Sequence, residues 1–296
     1  MYWECSHSFE EERGIICSSE TDFYKEYSLK AIANGLNSAT QAHLTKRRDA
    51  WYRMVQEYTS RNITYQSDKL PAFSGVAGAL QKLTGDVCYA GLWKSWFLAG
   101  LLWRLQVPEL DIYVFAPKHP EKLDFWRAPS WSFAALEGVV LYDILERAGG
   151  TDYCAELEDC SITPSGRNPL GELKSGYANI KGPLTTLTAV DQKRNGHTSN
   201  GKACTVRLSR QRHVYAGVYF DLETYDTCDV IMITPYAGLA IRSVDSSKNT
   251  YVRVGAVVAY MRMGVVDDVG APVTVEEKDA SLSAADHPHP TSITLL

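Results

Sequence analysis

The segment DKLPAFSGVAGAL, residues 68–80, decides how the N-terminal half of this chain is expected to fold. Asp68 is of a type that caps helix N-termini, and Pro71 falls in the first turn, where its missing N–H needs no partner. Four apolar residues then recur at helical spacing on one face: Leu70, Phe73, Ala77 and Leu80. The sequence therefore predicts a capped helix that buries this face.

The other faces of the same helix carry little side-chain bulk because they include Gly75 and Gly78. Glycine inside a helix costs about 1 kcal/mol relative to alanine, so two of them indicate a packing reason or a helix broken near Gly78. We expect Gly75 to lie at a close contact. Leucine at this position is then expected to cost about 1–3 kcal/mol through overpacking.

Two apolar segments flank this helix. Residues 40–58 predict a longer amphipathic helix with Trp51, Val55 and Tyr58 on its apolar side. Residues 88–103, CYAGLWKSWFLAGLLW, would extend only about 24 Å as a helix, against a hydrocarbon core of about 30 Å, and they include Lys94. We therefore expect a central buried helix packed against Phe73 rather than a membrane span.

The pattern of residue types changes in the second half of the sequence. Short runs rich in Val, Ile, Thr and Tyr alternate with Gly, Pro, Asn and Asp, a pattern typical of an antiparallel sandwich or barrel. The predicted fold class is α+β, with a mainly helical region over residues 1–125 packed on a mainly antiparallel β region over residues 126–275. Residues 276–296, which contain two His-Pro pairs, are predicted to be a disordered tail.

Composition and charge restrict the classes of partner. The chain has 296 residues, of which 22% are charged, and a formal net charge of −5 without a long basic run. The cluster at residues 46–48 fits a solvated helix face better than a nucleic-acid interface, so no nucleic-acid partner is expected. Seven cysteines at scattered spacing, without CxxC, favour reduced thiols over a disulfide framework. The expected location is the cytoplasm.

Few residues fit a nucleophile or base pattern. The sequence contains no GxGxxG, GxxxxGK[ST] or HExxH motif. Ser74 lacks the flanking glycines of a GxSxG nucleophile elbow and lies in a predicted helix rather than at a strand–turn–helix junction. His213 lies beside Arg210 and Arg212 at a predicted strand edge, where a surface or core role fits better than a catalytic one.

The histidines, cysteines and clustered acids that could form a metal or thiol site do not have the required arrangement either. His287 and His289 lie in the predicted tail and would hold a metal ion only loosely. Cys154 and Cys160 are expected on one face of an unbroken strand, too far apart to pair. Three neighbouring acids fit a solvated strand face better than a cation site: Glu156, Glu158 and Asp159. No catalytic, cofactor-binding or metal-binding residue is assigned.

Two tryptophans leave further functions open. Trp126 and Trp131 lie near the β region and would form a sugar-stacking platform if exposed beside polar residues; burial of both would exclude it. Trp131 shares a face with Phe133, which more often means core. A second alternative is an enzyme with an unrecognised pocket between the helical and β portions. That reading requires converging carboxylates or a histidine with a shifted pKa in a deep cleft.

The order of several segments resembles that of fungal heterokaryon-incompatibility (HET) domain proteins. The segments that carry the resemblance are Tyr2–Cys5, Trp51 with Val55, Tyr58–Thr64, Asp68–Ala77, Tyr89–Trp93, Leu101–Trp103 and Arg127–Phe133. They extend over residues 2–133. Beyond them, only glycine-rich β patterns such as residues 251–255 match the usual C-terminal half of these proteins.

The resemblance implies that this chain corresponds to the region C-terminal to the HET domain proper. That domain is similar to TIR modules and is regarded as the trigger of incompatibility cell death; residues 3–5 resemble its closing strand, and nearly all of it is absent here. We expect the chain to begin partway through a larger architecture. The resemblance does not define the biochemical role of this region. Together with the absence of a catalytic constellation, it leads to the hypothesis of a non-catalytic regulatory or recognition region that acts through protein partners. No cofactor is expected, and whether a small molecule binds is unknown.

Overall fold

The structure, a computed structural model, describes residues 2–4, 9–11, 41–106, 120–147, 152–189, 201–207, 213–259, 265–266, 272–273 and 290–296. The helices of these ranges lie in the N-terminal half. They are α1 (Gln41–Ser60), α2 (Lys69–Thr84), α3 (Phe97–Leu101) and α4 (Ile144–Arg147). Among the described residues, no helix is long and apolar enough to cross a membrane.

Short antiparallel strand pairs accompany the helices. They are β1 (Tyr2–Glu4) with β2 (Phe9–Glu11), β3 (Cys88–Tyr89) with β4 (Leu92–Trp93), and β5 (Arg104–Leu105) with β6 (Val140–Leu141). A further pair, β14 (Val265–Val266) with β15 (Pro272–Val273), follows the main sheet.

Eight longer strands form one large sheet. They are β7 (Glu156–Pro164), β8 (Leu173–Ala189), β9 (Gly201–Arg207), β10 (His213–Phe220), β11 (Thr227–Thr234), β12 (Ala237–Asp245), β13 (Thr250–Ala259) and β16 (Pro290–Leu295). The pairings β8–β9–β10–β13–β12–β11–β8 are all antiparallel and return to their start, so six of the strands close into a barrel. The predicted α+β class is confirmed, in its barrel-like form.

Strand β11 of the barrel is buried on both faces over most of its length. Along β11, Val230 and Met232 belong to the cluster inside the barrel, while Ile231 and Ile233 pack with the core of the helical portion. Because both faces are covered, this strand is apolar over consecutive residues instead of alternating with polar ones. One continuous core therefore joins the outside of the barrel to the helices.

A buried arginine also connects the barrel to the helical portion. The Arg253 side chain, on β13, is fully buried and forms an ion pair with Asp221 (2.6 Å). Its Nη2 donates to the carbonyl oxygen of Trp103, and its guanidinium lies 3.4 Å from the centre of that indole ring. Burial disfavours both charges, so it raises the pKa of Asp221 and lowers the pKa of Arg253, while their mutual contact opposes both shifts.

A second arginine repeats this arrangement nearby. Arg104, on β5, is buried and bonds the carboxylate of Asp143 through two nitrogens at 2.7 and 2.6 Å. Its guanidinium lies 4.6 Å from the ring centre of Tyr219 on β10. Both buried arginines therefore connect the barrel to segments of the N-terminal half.

The helix predicted from residues 68–80 is present and longer than predicted. Its four apolar residues are buried as expected, but Asp68 makes no side-chain capping bond. Gly75 is exposed, and a Cβ built there meets nothing within 4 Å. The expected close contact at Gly75 is therefore wrong. In the β3–β4 hairpin, by contrast, Gly91 has a φ of +89° and leaves no room for a Cβ beside the ring of Phe133.

The prediction of one buried helix over residues 88–103 is wrong in its secondary structure. The segment forms the β3–β4 hairpin, a 3-10 turn at Lys94–Trp96 and only then α3. Ala90 and Gly91 both adopt positive φ at the hairpin turn, which a helix cannot accommodate. The expected burial does hold, since Trp93 and Trp103 are almost completely enclosed.

The prediction of a disordered tail over residues 276–296 does not hold for residues 290–296. These residues form β16, antiparallel to β8 and parallel to the first residues of β13, with Ile293 and Leu295 buried. The main-chain oxygen of Leu296 accepts from Ser130 N (2.9 Å) and from its hydroxyl. Residues 276–289 lie outside the described residues.

Two glycine-to-alanine variants are expected to move stability in opposite directions. Gly75→Ala should stabilise by about 0.5–1 kcal/mol, because it restores helix propensity at an exposed position. Gly91→Ala should destabilise by about 2–4 kcal/mol, because it combines a positive φ with overpacking against Phe133. Chemical denaturation measures both free energies of unfolding. Equal values for the two variants would contradict this difference between the two glycines.

Candidate functional site

A cleft of about 260 Å³ lies where the first turn of α2 approaches the turn between β7 and β8. Its most conspicuous features are two exposed aromatic side chains, Phe125 (45% exposed) and Trp126 (49% exposed). The remaining lining residues are Ser67, Leu70, Pro71, Arg127, Ser165, Glu172 and Leu173. The cleft therefore combines aromatic surface with hydroxyl groups and one exposed carboxylate.

The walls come from elements that the core holds in place. Leu70 is buried on the inner face of α2, and Leu173 begins β8 and is buried as well. Opposite them, the β7–β8 turn is closed by a main-chain bond from Ser165 N to the oxygen of Glu172 (2.8 Å). This pairing presents both side chains at the rim, so the cleft is formed jointly by the helical and β portions.

Hydrogen bonds of Arg127 fix the chain segment that carries the two exposed aromatic residues. Its buried Nε donates to the oxygen of Ala134 (2.5 Å), and its Nη2 donates to the oxygen of Leu136 (3.0 Å). Its Nη1 donates to the oxygen of Gln66 (2.5 Å) and to Glu137 Oε1 (2.7 Å). One guanidinium thus ties the Phe125–Trp126 segment to the chain just before α2, which makes this wall rigid.

Glu137 extends the buried network to α2. Lys69, which is completely buried, places its Nζ 3.7 Å from Glu137 Oε2 and donates to the oxygen of Leu136 (2.5 Å). The main-chain oxygen of Lys69 accepts from the Tyr58 hydroxyl (2.8 Å), and burial raises the pKa of Tyr58 to about 12. Burial also lowers the pKa of Arg127, with Glu137 opposing the shift. The cleft therefore rests on a cluster of two cations and one carboxylate.

The structure separates the two tryptophans considered for sugar stacking. Trp131 is completely buried, with its ring 5.4 Å from that of Phe97. Trp126 is half exposed beside Ser67, Ser165 and Glu172. The condition for a sugar platform, one exposed tryptophan beside polar groups, is met by Trp126 alone of these two.

Ser74 lies outside this cleft. Its hydroxyl donates to the oxygen of Pro71 (2.6 Å) and accepts from Asn168 Nδ2 (2.9 Å), so its bonds are those of a helix side chain. His213 is the first residue of β10 and pairs with Arg207 in the ladder. The side chain of His213 and both tail histidines, His287 and His289, lie outside the described residues.

The expectation that Cys154 and Cys160 share a strand face is wrong. Cys154 precedes β7, where its N–H donates to the oxygen of Ile233 (3.0 Å), and it packs on the barrel-interior cluster. Cys160 lies in β7 and belongs to the core that the sheet shares with the helical portion. Burial raises the pKa of Cys154 to about 11 and that of Cys160 to about 12, so both thiols stay protonated near neutral pH.

Each of the three acids near these cysteines has a partner of its own. Glu156 pairs with Lys181 (3.2 Å), Glu158 accepts from Ser292 (3.1 Å), and Asp159 accepts from the Tyr177 hydroxyl (2.8 Å). All three acids are exposed. Among the described residues, no group of three His, Cys, Asp or Glu side chains is placed to hold a metal ion.

Sequence reasoning missed the charged residues that support the cleft. Glu137 did carry a signal, since it is the single charge in the apolar stretch at residues 131–141. A lone acid in such a stretch requires a buried cation, but its position does not identify Arg127 or Lys69 as the partners. Ser165 and Glu172 carried no signal, because they become part of the cleft only through the β7–β8 turn.

Comparison of the chain with protein-family models, with curated proteins and with solved structures finds no match. The resemblance to HET proteins stays a prediction from the segments within residues 2–133.

Removing the buried carboxylate is expected to destabilise the protein strongly. Glu137→Gln leaves Lys69 and Arg127 buried without their shared anion, which should cost about 3–5 kcal/mol. The matched control is Glu156→Gln, because Glu156 forms an exposed pair with Lys181 and such pairs contribute about 0–1 kcal/mol. Urea denaturation measures both variants. Equal midpoints would show that the buried cluster does not support the cleft.

Proposed function

We propose that this chain is a non-catalytic recognition region of a heterokaryon-incompatibility type protein, and that it binds a protein partner in the cytoplasm through the cleft beside Trp126. The single observation that carries the proposal is the pair of exposed aromatic rings, Phe125 and Trp126, on a wall fixed by the bonds of Arg127. The resemblance of residues 2–133 to HET proteins supplies the biological class.

Exposed aromatic rings on a fixed wall favour a protein partner. Large aromatic side chains that remain half exposed on a rigid surface are typical anchors of protein interfaces, where tryptophan contributes disproportionately to binding energy. Arg127 holds the main chain on both sides of the cleft, so little conformational freedom is lost when a partner docks. Apolar Leu70 and Pro71 extend the contact surface into the cleft.

Carbohydrate binding is the second candidate, and one specific observation favours it. Trp126 lies beside the hydroxyls of Ser67 and Ser165 and the carboxylate of Glu172, a combination of a stacking surface with hydrogen-bonding groups. Stacking on one ring with polar contacts at the edge suits a sugar. The protein partner is preferred because Phe125 adds a second exposed aromatic ring to the same wall.

The enzyme alternative receives less support from this cleft. The cleft does lie between the helical and β portions, as that alternative requires. Glu172 is the one carboxylate among the described residues that line the cleft, and no histidine lines it there. General acid–base catalysis by paired carboxylates needs a second such group close by.

The test scores heterokaryon viability in fungal strains that express the chain. Expression of the wild-type chain should change the viable fraction in an incompatible pairing, and Trp126→Ala should abolish the change because it removes the central anchor. The matched control is Tyr153→Ala, since Tyr153 is exposed to a similar extent (41%) but does not line the cleft. For a partner recovered by crosslinking, Trp126→Ala should raise the Kd by about 30-fold or more.

A parallel titration separates the two candidates. Tryptophan fluorescence is followed while chitin- and glucan-derived oligosaccharides are added to the wild-type chain and to Trp126→Ala. Saturable binding that depends on Trp126 would replace the protein partner by a sugar. Loss of the viability effect in Tyr153→Ala as much as in Trp126→Ala would contradict a role for the cleft.

A further inference from the structure

The exposed aromatic rings of the cleft have no aromatic or cationic neighbour in the described part of the chain. Neither Phe125 nor Trp126 stacks on another ring there, and no cation lies over either ring. In the core, by contrast, the rings of Trp103 and Tyr219 each lie beside a buried arginine, at 3.4 and 4.6 Å from the guanidinium. The face of an indole ring attracts cations because its π electrons present negative charge there.

Glu172 adds an available carboxylate to the same cleft. Its side chain is exposed and forms no ion pair or hydrogen bond with the described residues. Its main-chain oxygen accepts from Ser165 N (2.8 Å), which fixes its position at the end of the β7–β8 turn. Arg167 belongs to the same turn, but it does not line the cleft and forms no ion pair with Glu172. The carboxylate is therefore held in place by the main chain while its charge stays available to a partner.

The buried charges beneath the cleft balance one another. Arg127 donates to Glu137 and to main-chain oxygens, and Lys69 lies beside the same carboxylate. Burial raises the pKa of Tyr58 to about 12; Glu137 and Asp68 add to the rise and Arg127 opposes it, so Asp68 lies near this cluster as well. Two acids thus accompany two cations, and the charge left to be paired is the exposed carboxylate of the β7–β8 turn.

We propose that the cleft receives an arginine side chain of the protein partner, an inference that rests on the function proposed above. The planar guanidinium stacks on the Trp126 indole, and the N–H groups at its edge bond the Glu172 carboxylate. The hydroxyls of Ser67 and Ser165 line the same cleft and accept from the remaining N–H groups. A lysine ammonium has no planar face and is more strongly hydrated, so it fits this combination less well.

The size of the cleft suits one long side chain. Its volume of about 260 Å³ lies below the range of about 300–1,000 Å³ that is usual for small-molecule sites. A helix, with a diameter of about 10–12 Å, does not enter it. Leu70 and Pro71 provide apolar surface for the methylene groups of an arginine, whose charged end then reaches the polar rim.

The experiment follows the indole N–H signal of Trp126 in ¹H–¹⁵N spectra of the full chain, assigned with Trp126→Phe. The probes are three blocked pentapeptides that carry arginine, citrulline or lysine between two pairs of glycines. Citrulline keeps the shape of arginine without its charge. The arginine peptide should shift the signal and saturate at about millimolar concentration. The citrulline peptide should bind about tenfold more weakly because it cannot form the charge-assisted bonds, and the lysine peptide should also bind more weakly than the arginine peptide.

Two variants test the origin of the preference. Glu172→Gln keeps the aromatic wall, so it should weaken binding of the arginine peptide about tenfold and remove its advantage over the citrulline peptide. The matched control is Glu146→Gln, because Glu146 is exposed on α4 and does not line the cleft; it should leave the affinity unchanged. Equal affinities for arginine and citrulline, equal affinities for arginine and lysine, or unchanged affinity in Glu172→Gln would overturn the proposal.

Failure of this inference differs from failure of the proposed function. If Trp126→Ala abolishes the viability effect while Glu172→Gln changes neither that effect nor the affinity for the arginine peptide, the cleft binds its partner without an arginine. Only this inference is then overturned. If Trp126→Ala leaves the viability effect intact, the proposed function and this inference are both overturned.

Discussion

The buried guanidinium of Arg253 is the constraint on which the rest of the structure depends. A fully buried cation must be paired and hydrogen-bonded, and Arg253 meets this requirement only by contacting both halves of the protein. Asp221 on the barrel neutralises the charge, while the carbonyl and the ring of Trp103 complete its surroundings from the helical side. Separation of the two halves would remove the carbonyl and the aromatic ring that surround the buried guanidinium of Arg253, so the halves are expected to fold as one unit.

The candidate cleft takes its shape from this union. It needs the β7–β8 turn of the sheet to stand against the first turn of α2. The groups that it offers to a ligand are two aromatic rings, two serine hydroxyls and the carboxylate of Glu172, on a wall held by Arg127. A rigid and mainly apolar surface of this kind fits the recognition role that is proposed for it.

The sequence predicted those parts of the structure that follow a period. The buried face of α2 has helical spacing, and the second half alternates between β-rich runs and turn residues, so both were recognisable. Residues 88–103 are apolar on all sides, so periodicity does not separate a helix from a hairpin there, and the positive φ of Ala90 was not foreseeable. The pairing of Glu137 with Lys69 and Arg127 joins positions up to 68 residues apart and depends on the fold itself.

The central claim is that the helical and barrel portions unfold together, and thermal unfolding followed by two probes tests it most directly. Near-ultraviolet circular dichroism reports the packing of the tryptophan cluster in the helical portion. Far-ultraviolet circular dichroism near 218 nm, roughly where β-sheet backbone has its negative band, follows the barrel. Coincident transitions, with equal calorimetric and van't Hoff enthalpies, are the predicted result. Two separated transitions, with the tryptophan signal lost while the barrel signal persists, would contradict the account.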